Sequence, residues 1–250
     1  TATTPLTATF PLVPELRYLS AVALDGYVYV VGGDNPIASA LVDKGPRDKV
    51  YYAPINATDG SLSAWQETSV LPIPLSKHLL VAYENEDTGL KTLYVIGGWS
   101  KDLTPPWYKQ HASKDVYFAD VNSDGSLTDW SLPGALPRQL YAHHGVQFRE
   151  QILATGGVDA EASQEEKVYT STVRAALIDP DNPDWRLHDW GGTVGAWETG
   201  PLLPAKRARH QTVADQHFVY TLGGLDANGN PTDSVYWGAV DEPGARYAPE

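Results

Sequence analysis

The stretch Tyr27-Val28-Tyr29-Val30-Val31-Gly32-Gly33 decides how this chain is read, because it returns three more times. Leu93-Tyr94-Val95-Ile96 runs into Gly97-Gly98, Ile152-Leu153-Ala154-Thr155 into Gly156-Gly157, and Phe218-Val219-Tyr220-Thr221-Leu222 into Gly223-Gly224. The spacings are 65, 59 and 67 residues. A Val-Tyr pair follows each: Val50-Tyr51, Val116-Tyr117, Val168-Tyr169 and Val235-Tyr236. Trp65, Trp130 and Trp197 close three of the units, each six residues before a Leu-Pro. Seven residues beyond each of those leucines stands His78, His143 or His210. Fixed offsets held through three copies define an internal repeat, and a repeat of this length means stacked units of one supersecondary type.

Each unit reads as four short strands. Strand a follows Leu-Pro and carries the histidine, strand b ends at Gly-Gly, strand c holds Val-Tyr, and strand d holds Trp. Asp59-Gly60 and Asp124-Gly125 separate c from d and supply the positive φ of a tight hairpin. The repeated Trp and Tyr are bulky enough to fill the space between neighbouring sheets. No segment sustains a 3.6-residue apolar period, so helices are minor at most.

Four-stranded units that end a strand in Gly-Gly and carry a later aromatic are the blade pattern of β-propellers. The Gly-Gly, Val-Tyr and Trp positions resemble kelch repeats over nearly the whole chain, although these units exceed the usual kelch length of about 50 residues. The expectation is one all-β domain over 1–250, a four-bladed β-propeller of four-stranded antiparallel blades. Its units are approximately 15–72, 73–137, 138–204 and 205–250 plus 1–14. The last unit ends at Glu250, where a fourth Trp would fall, while Leu12-Val13-Pro14 is a degenerate Leu-Pro linker. The N-terminal strand around Thr7 to Phe10 is therefore expected to complete the last blade and close the ring, leaving no unpaired edge.

Composition narrows the function classes. The 250 residues carry a formal net charge of −13, against the basic stripe that a nucleic-acid binder needs. With 42% apolar residues the chain can pack a core, yet it has no run long enough to predict a membrane span. Cys and Met are both absent, which excludes thiolate chemistry and leaves little to oxidise. The start Thr1-Ala2-Thr3-Thr4 matches a mature end after signal removal, so the expected location is secreted, extracellular or cell-envelope.

In a propeller the b–c and d–a connections share one face, and the a–b and c–d connections the other. The b–c connections Asp34 to Lys49 and Trp99 to Asp115 are long and sit in neighbouring units, whereas those of units three and four read as short. The second long connection carries Trp99, Trp107 and Tyr108. On the opposite face the c–d insertion of unit three, Ile178 to Val194, carries Trp185, His188 and Trp190. Aromatic residues on such loops are candidates for recognising glycans or protein surfaces.

Strand a lines the central channel, which makes Arg17, His78, His143, Arg207, Arg209 and His210 candidate channel residues. His78, His143 and His210 also form a possible three-imidazole zinc set, with Leu19 at the fourth equivalent place. Repetition alone equally accounts for three structural histidines. Asp120, Asn122, Asp124 and Gly125 match the first half of a calcium loop, but Ser131 stands where its closing glutamate belongs. Asp226, Asn228 and Asn230 form a second oxygen-rich loop with ordinary turn chemistry. No cofactor is required by these motifs; calcium or zinc are the ions they would take. No nucleophile elbow, phosphate-cradling loop or HExxH is present. The function expected is that of a non-enzymatic extracellular or envelope module binding protein subunits or glycans. The alternative is a carbohydrate-active or isomerising kelch-type enzyme with its site at the channel mouth.

Overall fold

A computed structural model describes residues 16–37, 45–101, 110–161, 168–179, 186–189 and 192–239. Among these residues there is no helix, and the strands form antiparallel sheets one after another along the chain. The first sheet orders Ser20–Leu24, Tyr27–Val31, Val50–Pro54 and Gln66–Glu67 from inner to outer strand. The second runs Leu79–Glu84, Lys91–Lys101, Gln110–Asp120, Ser131–Ala135. The third runs His144–Phe148, Gln151–Thr155, Val173–Ile178, whose far edge pairs with Leu187–His188 and Glu198–Thr199. The fourth has Gln211–Ala214, Phe218–Leu222 and Val235–Ala239. The architecture is all-β and propeller-like, and no sheet closes on itself.

Register shows how faithfully the repeat becomes structure. The residue before each Gly pair faces a valine of strand c: Val31 opposite Val50, Ile96 opposite Val116, Thr155 opposite Val173, Leu222 opposite Val235. This corrects the third Val-Tyr pair. Val168–Tyr169 belongs to a small accessory sheet with Val158–Asp159 and Leu140–Tyr141, and Val173-Arg174 takes the strand-c place. The b–c connection of unit three is therefore extended too. The long connections of units one and two begin as two-stranded ribbons, Asp34–Asn35 against Gly45–Pro46 and the far end of Lys91–Lys101 against Gln110–Asp120. Trp99 consequently sits on a strand.

Apolar alternation puts one row of each strand toward each neighbouring sheet. Tyr29, Val31, Val50 and Tyr52 of sheet one pack with Leu75, Leu80, Leu93, Val95 and Tyr117 of unit two. Tyr94, Ile96, Val116 and Phe118 of sheet two pack with Leu140, Ile152, Ala154 and Trp197 of unit three. A smaller core of Phe148, Leu153, Ala175 and Val219 joins units three and four. On sheet four the places equivalent to Val22, Val31, Val50 and Tyr52 are Val213, Leu222, Val235 and Trp237, and all four are exposed. The packing pattern thus runs through three seams and stops at the fourth face.

Polar pins reinforce the seams. Arg186 reaches from unit three into unit two, with Nη2 2.8 Å from Asp120 Oδ2, Nη1 donating to Thr92 Oγ1, and its guanidinium 5.1 Å from the Phe118 ring centre. Tyr29 Oη crosses from unit one to donate to the Gly125 carbonyl.

The candidate N-terminal closing strand lies outside the described residues, as do Trp107, Tyr108, Trp185 and Trp190.

Candidate functional site at the channel mouth

Each inner strand is entered through the same backbone feature. Tyr18, Lys77, Ala142 and Arg209 stand one residue before Leu19, His78, His143 and His210, and all four have φ between 53° and 54°. This is the left-handed region, sparsely used by non-glycine residues. It turns the chain sharply from the d–a connection into strand a, and it links the units. Lys77 N–H donates to Tyr18 C=O, Ala142 N–H to Lys77 C=O, and Arg209 N–H to Ala142 C=O, at 2.8–3.0 Å. The step that would complete this ring, Tyr18 N–H to Arg209 C=O, is not made among the described residues.

Behind that ladder lie the histidines, with 4%, 5% and 2% of their surface exposed at 78, 143 and 210. Each imidazole covers the first glycine of the preceding unit. A β-carbon added at Gly32, Gly97 or Gly156 would fall 3.0, 3.1 or 2.7 Å from Cε1 of His78, His143 or His210. The Leu75, Leu140 and Arg207 carbonyl oxygens crowd the same glycines. A β-carbon at Gly223 would meet, among the described residues, only the Thr232 carbonyl oxygen at 3.3 Å.

Burial holds these imidazoles neutral, pulling His78 down to about 4 and His143 and His210 to about 3. The neighbouring His144, His210 and His78 depress His143 further. Among the described residues both ring nitrogens of His78 and of His143, and Nδ1 of His210, have no hydrogen-bond partner, while His210 Nε2 lies 2.9 Å from Thr155 Oγ1. These are the three rings of the zinc expectation. The rings wedge successive seams, and no three His, Asp or Glu side chains among the described residues converge on one point.

The surface above is cationic and aromatic. Tyr18, 41% exposed, has the Arg17 guanidinium 5.1 Å, Lys77 Nζ 5.0 Å and the Arg209 guanidinium 5.9 Å from its ring centre. Lys77 also lies 5.6 and 5.7 Å from the Trp99 and Tyr141 rings, which meet at 4.8 Å. Arg17 is ion-paired to Asp34, whereas Arg209 has no carboxylate partner among the described residues. A pocket of about 360 Å³ opens here, lined by residues of all four units. His144 lines it as well. Its Nδ1 accepts the Thr212 N–H at 2.9 Å, so the neutral ring carries its proton on Nε2.

Of the channel candidates, Arg17 and Arg209 stand at the mouth. Arg207 does not: it is buried, with Nη2 donating to Tyr236 Oη at 2.7 Å and its guanidinium over that ring. The left-handed backbone at Arg209 (φ 54°) breaks the strand alternation and separates its side chain from that of Arg207. Trp99 joins the mouth, with Nε1 donating to Gln110 Oε1. His188 lies in the short Leu187–His188 strand, its Nδ1 2.7 Å from the Asp189 carbonyl, and is not among the mouth residues. The oxygen-rich residues of the calcium expectations make local hydrogen bonds. Asp226 Oδ1 accepts the Asn228 and Asn230 amides and closes its own turn. Asp120 is engaged by Arg186, and Asp124 by Ser126.

Sequence reading missed Tyr18, Lys77, Tyr141 and His144. The signal for the first two is their column in the repeat, one place before the recurrent histidine. Tyr141 and His144 simply flank Ala142-His143.

The fold and site define an all-β, propeller-like protein with a basic aromatic mouth. Among solved structures it is similar to that of YjhT, with a TM-score of 0.57 and 12% identity over 94% of this chain and 84% of that one. At that identity the likeness concerns the fold alone. No family model matches the chain, and no curated protein matches it.

Proposed function

We propose that the chain is a kelch-type, four-bladed propeller acting outside the cytoplasm as a non-enzymatic recognition module. It docks a protein subunit of a larger assembly through the channel mouth. The observation that carries this reading is the cluster of Tyr18, Trp99, Tyr141, Lys77 and Arg209 on a molecule of net charge −13. Tyr and Arg side chains exposed around a depression, with a half-buried Trp beside them, are the kinds that dominate binding energy at protein interfaces. The deeper histidines are sealed from solvent, which favours a docking role over an acid–base one. Absence of thiol and thioether groups agrees with an oxidising surrounding.

Closure of the ring is part of the same proposal. Units four and one approach at the mouth, where Arg209 lies over Tyr18, and they line one pocket. Among the described residues sheet four has three strands and ends at Val235–Ala239, the edge this proposal assigns to the segment 1–14.

Affinity purification from the native source with the intact chain, against a Tyr18→Ala/Lys77→Ala double variant, tests the function. A stoichiometric protein partner held by the first and lost by the second is expected. A glycan retained in place of protein would move the reading to a lectin-like role. Turnover of a sugar that depends on the mouth residues would replace it with the enzymatic alternative.

A further inference from the structure

The mouth has a chemical polarity that identifies what it takes. Among the described residues the backbone ladder from Tyr18 to Arg209 ends with one unpaired donor, Tyr18 N–H, and one unpaired acceptor, Arg209 C=O. A single peptide unit offers the complementary acceptor and donor. Beside that open step stands Arg209, exposed, its charge uncompensated by any carboxylate among the described residues. The same pocket holds the His144 ring, fixed by the Thr212 amide so that Nε2–H is its available donor. Both line the same pocket, together with Ser20 and Gln211.

Resting on the recognition reading above, we infer that the mouth binds an acidic peptide segment. Its backbone engages Tyr18 N–H and Arg209 C=O, and a side-chain carboxylate sits between the Arg209 guanidinium and His144 Nε2–H. Arginine paired with carboxylate gives charge-assisted hydrogen bonds about twice as strong as neutral ones. The neutral imidazole adds a directed donor without a competing positive charge. A uronic-acid glycan would supply the carboxylate but no amide for the open backbone step, so the peptide is favoured. Tyr18, Trp99 and Tyr141 provide the apolar walls that exclude water from the contact.

The test uses the full chain and fluorescein-labelled hexaglutamate, with hexaglutamine and oligogalacturonate as comparison probes, followed by anisotropy at low and moderate salt. Hexaglutamate is expected to bind more tightly than both other probes. Arg209→Gln should weaken it about tenfold, the loss of one charged hydrogen bond. His144→Asn should weaken it by a smaller factor. Arg149→Gln, which removes the same charge in the turn after Phe148, should leave it unchanged. Equal losses for Arg209→Gln and Arg149→Gln would overturn the inference as unspecific charge attraction. Tighter binding of oligogalacturonate would overturn the peptide assignment while leaving the mouth as a recognition site. Failure of hexaglutamate alongside a native protein partner lost in the Tyr18→Ala/Lys77→Ala variant would sink the inference but not the docking function.

Discussion

Acidification should unfold this protein in a window set by three histidines. His78, His143 and His210 are buried and neutral, with folded pKa values of about 4, 3 and 3. In the unfolded chain each returns to about 6.5. The folded value is the lower one, so the unfolded state binds more protons between them. Stability is complete above about pH 6.5 and falls as pH drops toward the folded values. Each histidine costs about 1.4 kcal/mol per pH unit in that window, hence about 2 kcal/mol at pH 5 and about 6 kcal/mol for the three. That is comparable with the whole stability of a typical domain, roughly 5–15 kcal/mol. The carboxylates held low by turn hydrogen bonds, Asp59, Asp124, Asp215 and Asp226, keep their contribution above their ordinary range and lose it only in stronger acid. The two windows are therefore separable. Leu19 already fills the equivalent place in unit one, so His78→Leu is a substitution the repeat itself tolerates. Urea unfolding followed by tryptophan fluorescence at pH 8, 7, 6 and 5 should show the wild-type loss shrinking by about one third in His78→Leu. Equal stability at pH 7 and 5, or an unchanged pH slope in His78→Leu, would refute the reasoning.

Other perturbations read other parts of the frame. Gly97→Ala and Gly223→Ala share φ near +60°, so both carry the same backbone strain of about 1 kcal/mol. Only Gly97→Ala drives its β-carbon to 2.6 Å from a carbonyl oxygen of the next unit. It should cost at least about 2 kcal/mol more in urea titration; equal costs would deny the seam at Leu140. Arg186→Met should destabilise by about 2–3 kcal/mol, because Asp120 and Thr92 lose their shared partner. The loss should disappear in an Asp120→Asn background, and full additivity in that double-mutant cycle would count against the pin. Removing residues 1–14 should lower the urea midpoint, whereas an unchanged midpoint would detach that segment from the last sheet.

What was legible in the sequence was what the repeat fixes through backbone requirement. The Gly pairs, the Trp before each outer strand and the histidine before each inner strand all occupy equivalent structural places. The misplaced element was Val168-Tyr169. It has the right residues, but a longer connection carries it into an accessory sheet, and Val173-Arg174 inherits the strand. Local pattern cannot distinguish two β-competent segments five residues apart; register against Thr155 can. At the site, sequence located the strand ends that form the mouth but misjudged which side chains face it. Arg207 and Arg209 are two residues apart in one cluster, yet one stacks inside on Tyr236 and the other faces solvent. Arg209 is itself the left-handed residue at the entry to strand a, and that break in the strand alternation makes the division. The histidines looked like convergent ligands because the repeat aligns them in sequence. In space each belongs to a different seam.

The account stands or falls on one polypeptide forming its own ring, and native mass spectrometry of the intact chain tests this most directly. The prediction is a single-chain mass at all working concentrations, unchanged by Trp237→Glu on the open face of sheet four. A stable two-chain species that this substitution splits would contradict it, since the fourth seam would then lie between molecules.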